Sequence, residues 1–392
     1  MTPAREKALL PAGLRDVLPP EADQEARVVE RLRGVFAQHG YARVKPPLVE
    51  FEDSLLFGAG ASTAAETFRM MDPISQRMMG VRADMTMQIA RIATTRLGKA
   101  ARPLRLCYDG DVLRVKGKQL RPERQFTQVG AELIGATSAA ADVEVIVMAI
   151  EALQTIGITK LAVDLSTPTL VRTLCKALKI EGDDEKRLRA ALDRKDAAAV
   201  SRAAKATGNK DGEAIFAKLM AASGPAPKAL AALAALQLPA EAKRETKRIA
   251  EVSNAVMQAV PDVHLTIDTV ENRGFEYHTG VSFTLFRSGV RGELGSGGRY
   301  LASHVTGGQA PEPSTGFTLY LDVIMRALPE RNERHNIYVP FGTPIEELRK
   351  LRDGGWATVG GLEPVRDLAG EAKRLGCSHL FKNGSVEALA EP

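Results

Sequence analysis

The sequence has very little cysteine. Its 392 residues include three, Cys107, Cys175 and Cys377, far apart and without a C-x-x-C spacing. An odd, scattered set excludes a disulfide framework and lacks the paired spacing of a structural zinc site. Free thiols of this kind are expected in a reducing cytosol. Aromatic residues are scarce too, at 5%, which leaves few platforms for stacking single-stranded bases. No run of 18 apolar residues occurs, and a bilayer-spanning helix needs about that many. The stretch Met1 to Gly13 is charged and holds two prolines, unlike a secretory signal. Neither sign of charge dominates: 53 basic against 48 acidic residues gives +5. So small a surplus does not by itself draw in nucleic acid. G-x-x-x-x-G-K-[ST], H-E-x-x-H, G-x-G-x-x-G and G-x-S-x-G are all missing. The six histidines are scattered without metal-ligand spacing. None of these patterns points to a catalytic set, a metal or a cofactor.

What is present is an ordinary globular mixture, 44% hydrophobic and 26% charged, long enough for two or three domains. From Glu21 to His39 a helical stripe carries Val28, Val29, Leu32, Val35 and Phe36, and Gly40 ends it. Two apolar runs, Leu104–Val115 and Phe126–Ile134, flank a basic connection and predict an antiparallel hairpin. An apolar helix is expected over Ala140–Ile156. Between Glu181 and Val260 the composition turns Ala-, Lys- and Asp-rich, which predicts an insertion of three or four helices. Strand-like segments resume at Val263–Val270, Val281–Phe286 and Phe317–Leu321. A charged linker, Pro329–His335, precedes a short strand-helix-strand pattern. The expected division is a core of 1–180 and 261–328, a helical insertion 181–260, and a small C-terminal α/β domain 335–392.

Four local constellations carry chemistry. Asp84 and Thr86 stand at a helix start, where they either cap the helix or hold a ligand ammonium. Arg114 ends an apolar strand before the basic connection, and a guanidinium facing across a sheet suits a carboxylate or phosphate. A solvated hairpin tip explains the other basic residues there. Gln128 and Glu132 fall on one face of a strand with Gly130 between them. That is either a solvent face or a polar floor with room above the glycine. Last, Asn272 to Gly280 brings Arg273, Tyr277 and His278 together between two strands.

In order along the chain, these segments resemble histidyl-tRNA synthetase, a class II synthetase. Gly40-Tyr41 to Pro47-Leu48-Val49-Glu50 is similar to that family's motif 1, a dimerisation element. Arg114 and the run Arg124 to Glu132 are similar to motif 2. Arg273 to Gly280 resembles the histidine-binding R-G-L-D-Y-Y motif, with His278 where that motif has its second tyrosine. Gly297-Gly298-Arg299-Tyr300 resembles the glycine-rich strand. The resemblance implies a mixed α/β (α+β) fold around a six- or seven-stranded antiparallel sheet flanked by helices. It also implies a histidine site built from Asp84, Thr86, Arg114, Gln128, Glu132, Arg273, Tyr277 and His278.

The departures concern the nucleotide. The family's motif 3, G-F-A-I-G-L-E-R-L, is matched by Gly316 to Ile324, with Val323 where an arginine grips ATP phosphate and Tyr320 where there is a glycine. The stretch 335–392 is too short for the family's anticodon-binding domain. A kept amino-acid site without its nucleotide clamp resembles the regulatory subunits of ATP phosphoribosyltransferase, synthetase-like proteins of histidine biosynthesis. That resemblance implies a non-catalytic, cytoplasmic subunit, at least dimeric, that senses free histidine. It implies a short-form ATP phosphoribosyltransferase catalytic subunit as partner, and neither tRNA nor membrane. The alternative is a diverged histidyl-tRNA synthetase.

Overall fold

The computed structural model describes residues 9–117, 121–207, 210–271, 277–303, 310–328 and 336–389. The chain forms two compact units, Met1–Pro329 and Glu330–Pro392. The larger is built on a nine-stranded sheet. Across it lie Ala42–Arg43, Leu104–Leu113, Gln125–Ile134, Glu312–Tyr320, Gly295–Ala302, Ser282–Arg287, Leu161–Ser166, His264–Asp268 and Gly224–Pro225. The six strands from Leu104–Leu113 to Leu161–Ser166 are antiparallel neighbours. The remaining three widen this centre: Ala42–Arg43 and His264–Asp268 pair in parallel, and Gly224–Pro225 adds an antiparallel edge. The sheet is thus larger than the six or seven strands expected, because its two-residue edge strands are too short to show an alternation.

One face of the sheet is covered by helices. Glu21–Gln38 buries Val28, Leu32, Val35 and Phe36, the stripe its sequence spacing predicts. The rings of Phe36 and Phe317 meet edge to face at 5.4 Å. Burying a side chain of this kind is worth roughly 1.5–3 kcal/mol, so the stripe fixes which face of the sheet turns inward. Ala139–Thr155 is buried along most of its circumference. At its start Asp142 pairs with Arg299 at 2.7 Å, both almost fully buried. Arg299 also donates to the carbonyls of Ala136 at 2.6 Å and Ser138 at 3.0 Å. The arginine of the glycine-rich strand therefore anchors a helix.

Between 181 and 260 the described residues form five helices: Gly182–Asp193, Ala197–Ala206, Lys210–Ala221, Ala226–Ala234 and Ala240–Ala259. The break that raises the number above three or four carries neither glycine nor proline. Lys195 takes a left-handed φ of 52°, and the Asp196 carboxylate caps the next helix by accepting from Ala199 N at 2.9 Å. Leu188, Val200, Leu219 and Val252 join the same continuous core as the sheet.

The smaller unit has a four-stranded sheet in the order Ala357–Gly360, Asn336–Val339, His379–Lys382, Ser385–Ala388. Helices Ile345–Asp353 and Leu368–Arg374 bury Leu351 and Ala372. Among the described residues, no helix is long and apolar enough to cross a membrane.

Candidate functional site

On the Gln125–Ile134 strand, Val129, Ala131 and Leu133 belong to the apolar core. Alternation sends Gln128, Gly130 and Glu132 to the opposite face. Register carries the pattern sideways: Glu132 lies opposite Gly316, Gly130 opposite Thr318 and Gln128 opposite Tyr320. Gly316 in turn pairs with Gly298, and Ser314 with Tyr300. Three strands thus present polar or small residues on one surface. There they line a cavity of about 40 Å³ with Asp84, Thr86, Glu132, Tyr277, His278, Tyr300, Gly316, Thr318 and Tyr320 on its wall.

The glycines are required by space. A Cβ at Gly316 would lie 1.8 Å from Glu132 Oε2, one at Gly130 would lie 2.5 Å from the Tyr108 hydroxyl, and one at Gly298 would lie 2.5 Å from the His278 ring. Glu132 is 1% exposed. Tyr300 donates to its Oε2 at 3.0 Å and Tyr108 to its Oε1 at 3.3 Å. Tyr108 also bonds Thr318 Oγ1 at 2.8 Å. Burial drives the Glu132 carboxyl up to a pKa of about 8; the Tyr300 hydroxyl opposes the rise and the nearby Asp84 charge adds to it. Burial likewise holds the Tyr108 and Tyr300 phenols well above their ordinary value.

Asp84 comes from the turn before the Thr86–Arg91 helix. Its Oδ1 accepts from Thr86 N at 2.9 Å, and its Oδ2 accepts from Gln128 Nε2 at 2.8 Å. Gln128 Oε1 accepts from Met85 N at 3.0 Å, so Gln128 fixes the turn that carries Asp84. The Asp84 carboxylate bonds the helix start and also lines the cavity. Tyr277 stacks at 4.2 Å on His278 and meets Tyr300 edge-on at 6.4 Å. His278 is buried, whereas Tyr277 is 36% exposed and is the outer wall among the described lining residues.

Of the expected site residues, Asp84, Thr86, Glu132, Tyr277 and His278 line this cavity. Gln128 stands beneath it. The Arg114 guanidinium points elsewhere: it donates to the Ala83 carbonyl at 3.2 Å, pairs with Glu66 at 3.3 Å and lies 5.1 Å from the Phe126 ring centre. Arg273 lies outside the described residues. Sequence reasoning missed Tyr108 and Tyr300, whose hydroxyls donate to Glu132, and Thr318, which bonds Tyr108. Tyr300 had a signal, being the second residue after the double glycine. Tyr108 had a weaker one, a large residue opposite Gly130 in the hairpin register. Among the described residues, no group of three His, Cys, Asp or Glu side chains could hold a metal ion.

Next to the cavity, Tyr320 fills the space where the motif 3 glycine would leave a gap. Its hydroxyl bonds Ser296 Oγ at 2.9 Å, and the Arg121 guanidinium lies 3.8 Å over its ring. Arg121 is held by Asp322 at 3.2 Å and Glu293 at 3.4 Å. Val323 is fully buried in the Leu321–Ala327 helix and offers no donor.

The sheet and its helical face are those of a class II synthetase core, and the histidyl-tRNA synthetase family model matches residues 13–324. The structure of an ATP phosphoribosyltransferase regulatory subunit/histidyl-tRNA synthetase from Bacillus halodurans superposes with a TM-score of 0.79 at 25% identity. That match covers 93% of this chain and 96% of the other. The fold extends to an ATP phosphoribosyl transferase complex from Thermotoga maritima, with a TM-score of 0.58 at 17% identity over 76% of this chain and 97% of that one. The ATP phosphoribosyltransferase regulatory subunit of Rhodospirillum centenum is 54% identical over 98% of this chain and 97% of its own length. The chain belongs to the family of ATP phosphoribosyltransferase regulatory subunits, the non-catalytic branch of this fold.

Proposed function

We propose that the cavity binds free histidine, and that the chain reports histidine to a short-form ATP phosphoribosyltransferase catalytic subunit in a complex built on at least a dimer of this chain. The observation that carries the reading is the pair of acids in one small cavity. Asp84 and Glu132 both line it, with no lysine or arginine among the described lining residues. A buried carboxyl without a cation stays protonated, or gains one from a ligand. Histidine brings two basic groups, an ammonium and an imidazole, within a compact frame edged by aromatic rings. Histidine is also the end product of the pathway the family name implies, so a histidine site on a regulatory subunit supports feedback. Feedback requires histidine to bind the inhibited arrangement of the complex more tightly than the active one. A coupling of about 1–3 kcal/mol shifts the equilibrium roughly 5- to 150-fold.

Glu132→Ala should weaken histidine binding at least about tenfold, since an ammonium or imidazolium would lose a charge-assisted partner in a dry site. Calorimetry on the variant, run beside inhibition of the complex, checks this. Activation of the catalytic subunit should survive the same change. Unchanged histidine affinity would place the effector elsewhere.

The alternative, a diverged synthetase that charges tRNA, predicts histidine-dependent ATP–pyrophosphate exchange. We expect none. Activation builds charge on departing pyrophosphate, and losing one positioned donor there costs on the order of 100- to 1000-fold. Val323 is such a loss, and Arg114 already pairs with Glu66. Exchange at a synthetase-like rate would overturn the regulatory reading.

A further inference from the structure

We propose that Tyr320 is the end wall of the cavity and makes the site selective for the free amino acid, refusing forms extended from the carboxylate. This rests on the histidine reading above. The polar surface runs along the Glu312–Tyr320 strand from Gly316, opposite Glu132, to Tyr320, opposite Gln128. Four residues of strand span about 13 Å. Glu132 and Asp84 take the two basic groups of the ligand, and Asp84 bonds Gln128, which lies opposite Tyr320, so an ammonium on Asp84 sets the adjoining carboxylate toward that end. On that side stand Ser296 and Tyr320.

Tyr320 is held on every side, which is what a wall requires. Its hydroxyl bonds Ser296 and its ring lies under the Arg121 guanidinium. Phe126 meets it edge-on at 6.2 Å, and its backbone N–H donates to the Leu294 carbonyl at 2.8 Å. Arg121 is itself buried and paired with Asp322 and Glu293. Moving the ring would break a stack, a hydrogen bond and the seat of a buried guanidinium together. A free carboxylate ends short of this wall and meets the Ser296 hydroxyl. A group attached to the carboxylate would need the volume of the ring.

The test is calorimetry on the full-length protein with L-histidine, L-histidinamide and L-histidine benzylamide. Comparing the two amides removes the effect of the lost carboxylate charge, because both lack it. The wild type is expected to bind the benzylamide at least about tenfold more weakly than histidinamide. Tyr320→Ala should bring the two amides to within about threefold, and Tyr320→Phe, which keeps the ring, should preserve the discrimination. If the wild type binds histidine and treats the amides alike, the wall is overturned while the histidine reading stands. If Tyr320→Ala folds and still discriminates, the wall lies in other residues. If the wild type gives no binding with histidine itself, both readings fall.

Discussion

Glu132→Gln should make the ligand-free protein more stable than the wild type above pH 8, with the difference shrinking to little below about pH 5. The sign follows from where the proton sits. In the folded wild type the Glu132 carboxyl titrates at about 8, against an ordinary 4.5. Between those values the folded state holds a proton that the unfolded chain has released, so stability falls as pH rises. The slope from one such group is about 1.4 kcal/mol per pH unit, and over the whole window the loss is on the order of 5 kcal/mol. Glutamine keeps the size and an acceptor for Tyr300 but has no proton to lose. Denaturant melts of both proteins at pH 5, 7 and 9 measure the difference, in which all other titrating groups cancel. Parallel stability curves would show that Glu132 ionises freely where it stands. A cationic ligand should reverse the trend by giving the ionised carboxylate a partner.

This carboxyl also marks the boundary of what the sequence reveals. Gln128, Gly130 and Glu132 were legible as one face of one strand, because alternation is local. The hydroxyls that bond Glu132 come from residues 108 and 300, and residue 318 holds the first of them. Their meeting depends on which strands are neighbours, and the Gln125–Ile134 strand pairs with one that begins at Glu312. No local period encodes that. The partners of Arg114 were hidden for a related reason. Its guanidinium lies over the Phe126 ring and meets the Ala83 carbonyl and Glu66, which only the fold brings close. Glu21–Gln38 and the central hairpin were legible because each is long and strongly patterned. The break at Lys195 was not, because its left-handed turn uses a residue that carries no turn signal.

Gly316→Ala should be strongly damaging and should abolish histidine binding. The added carbon would lie 1.8 Å from Glu132 Oε2, 2.4 Å from its Cδ and 2.6 Å from the Ala131 carbonyl oxygen. Two of these contacts are with a side chain that could in principle move. Glu132, however, is held by Tyr300 and Tyr108 and is buried on all sides, so displacing it strands two phenols without their acceptor. Leaving a buried polar group unsatisfied costs about 1–3 kcal/mol, and overpacking a filled core adds about 1–3 kcal/mol more. The third contact is backbone of a paired strand and cannot yield without opening the ladder between Gln125–Ile134 and Glu312–Tyr320. We expect a loss of about 3 kcal/mol or more in denaturant melts. A double-mutant cycle separates the two sources of strain. If the carboxylate is the main obstacle, Glu132→Ala with Gly316→Ala should cost clearly less than the two single losses added, because the methyl then occupies the space the carboxylate left. Strict additivity would instead assign the strain to the Ala131 carbonyl and the strand pairing, and would mean that the glycine serves the sheet and not the ligand.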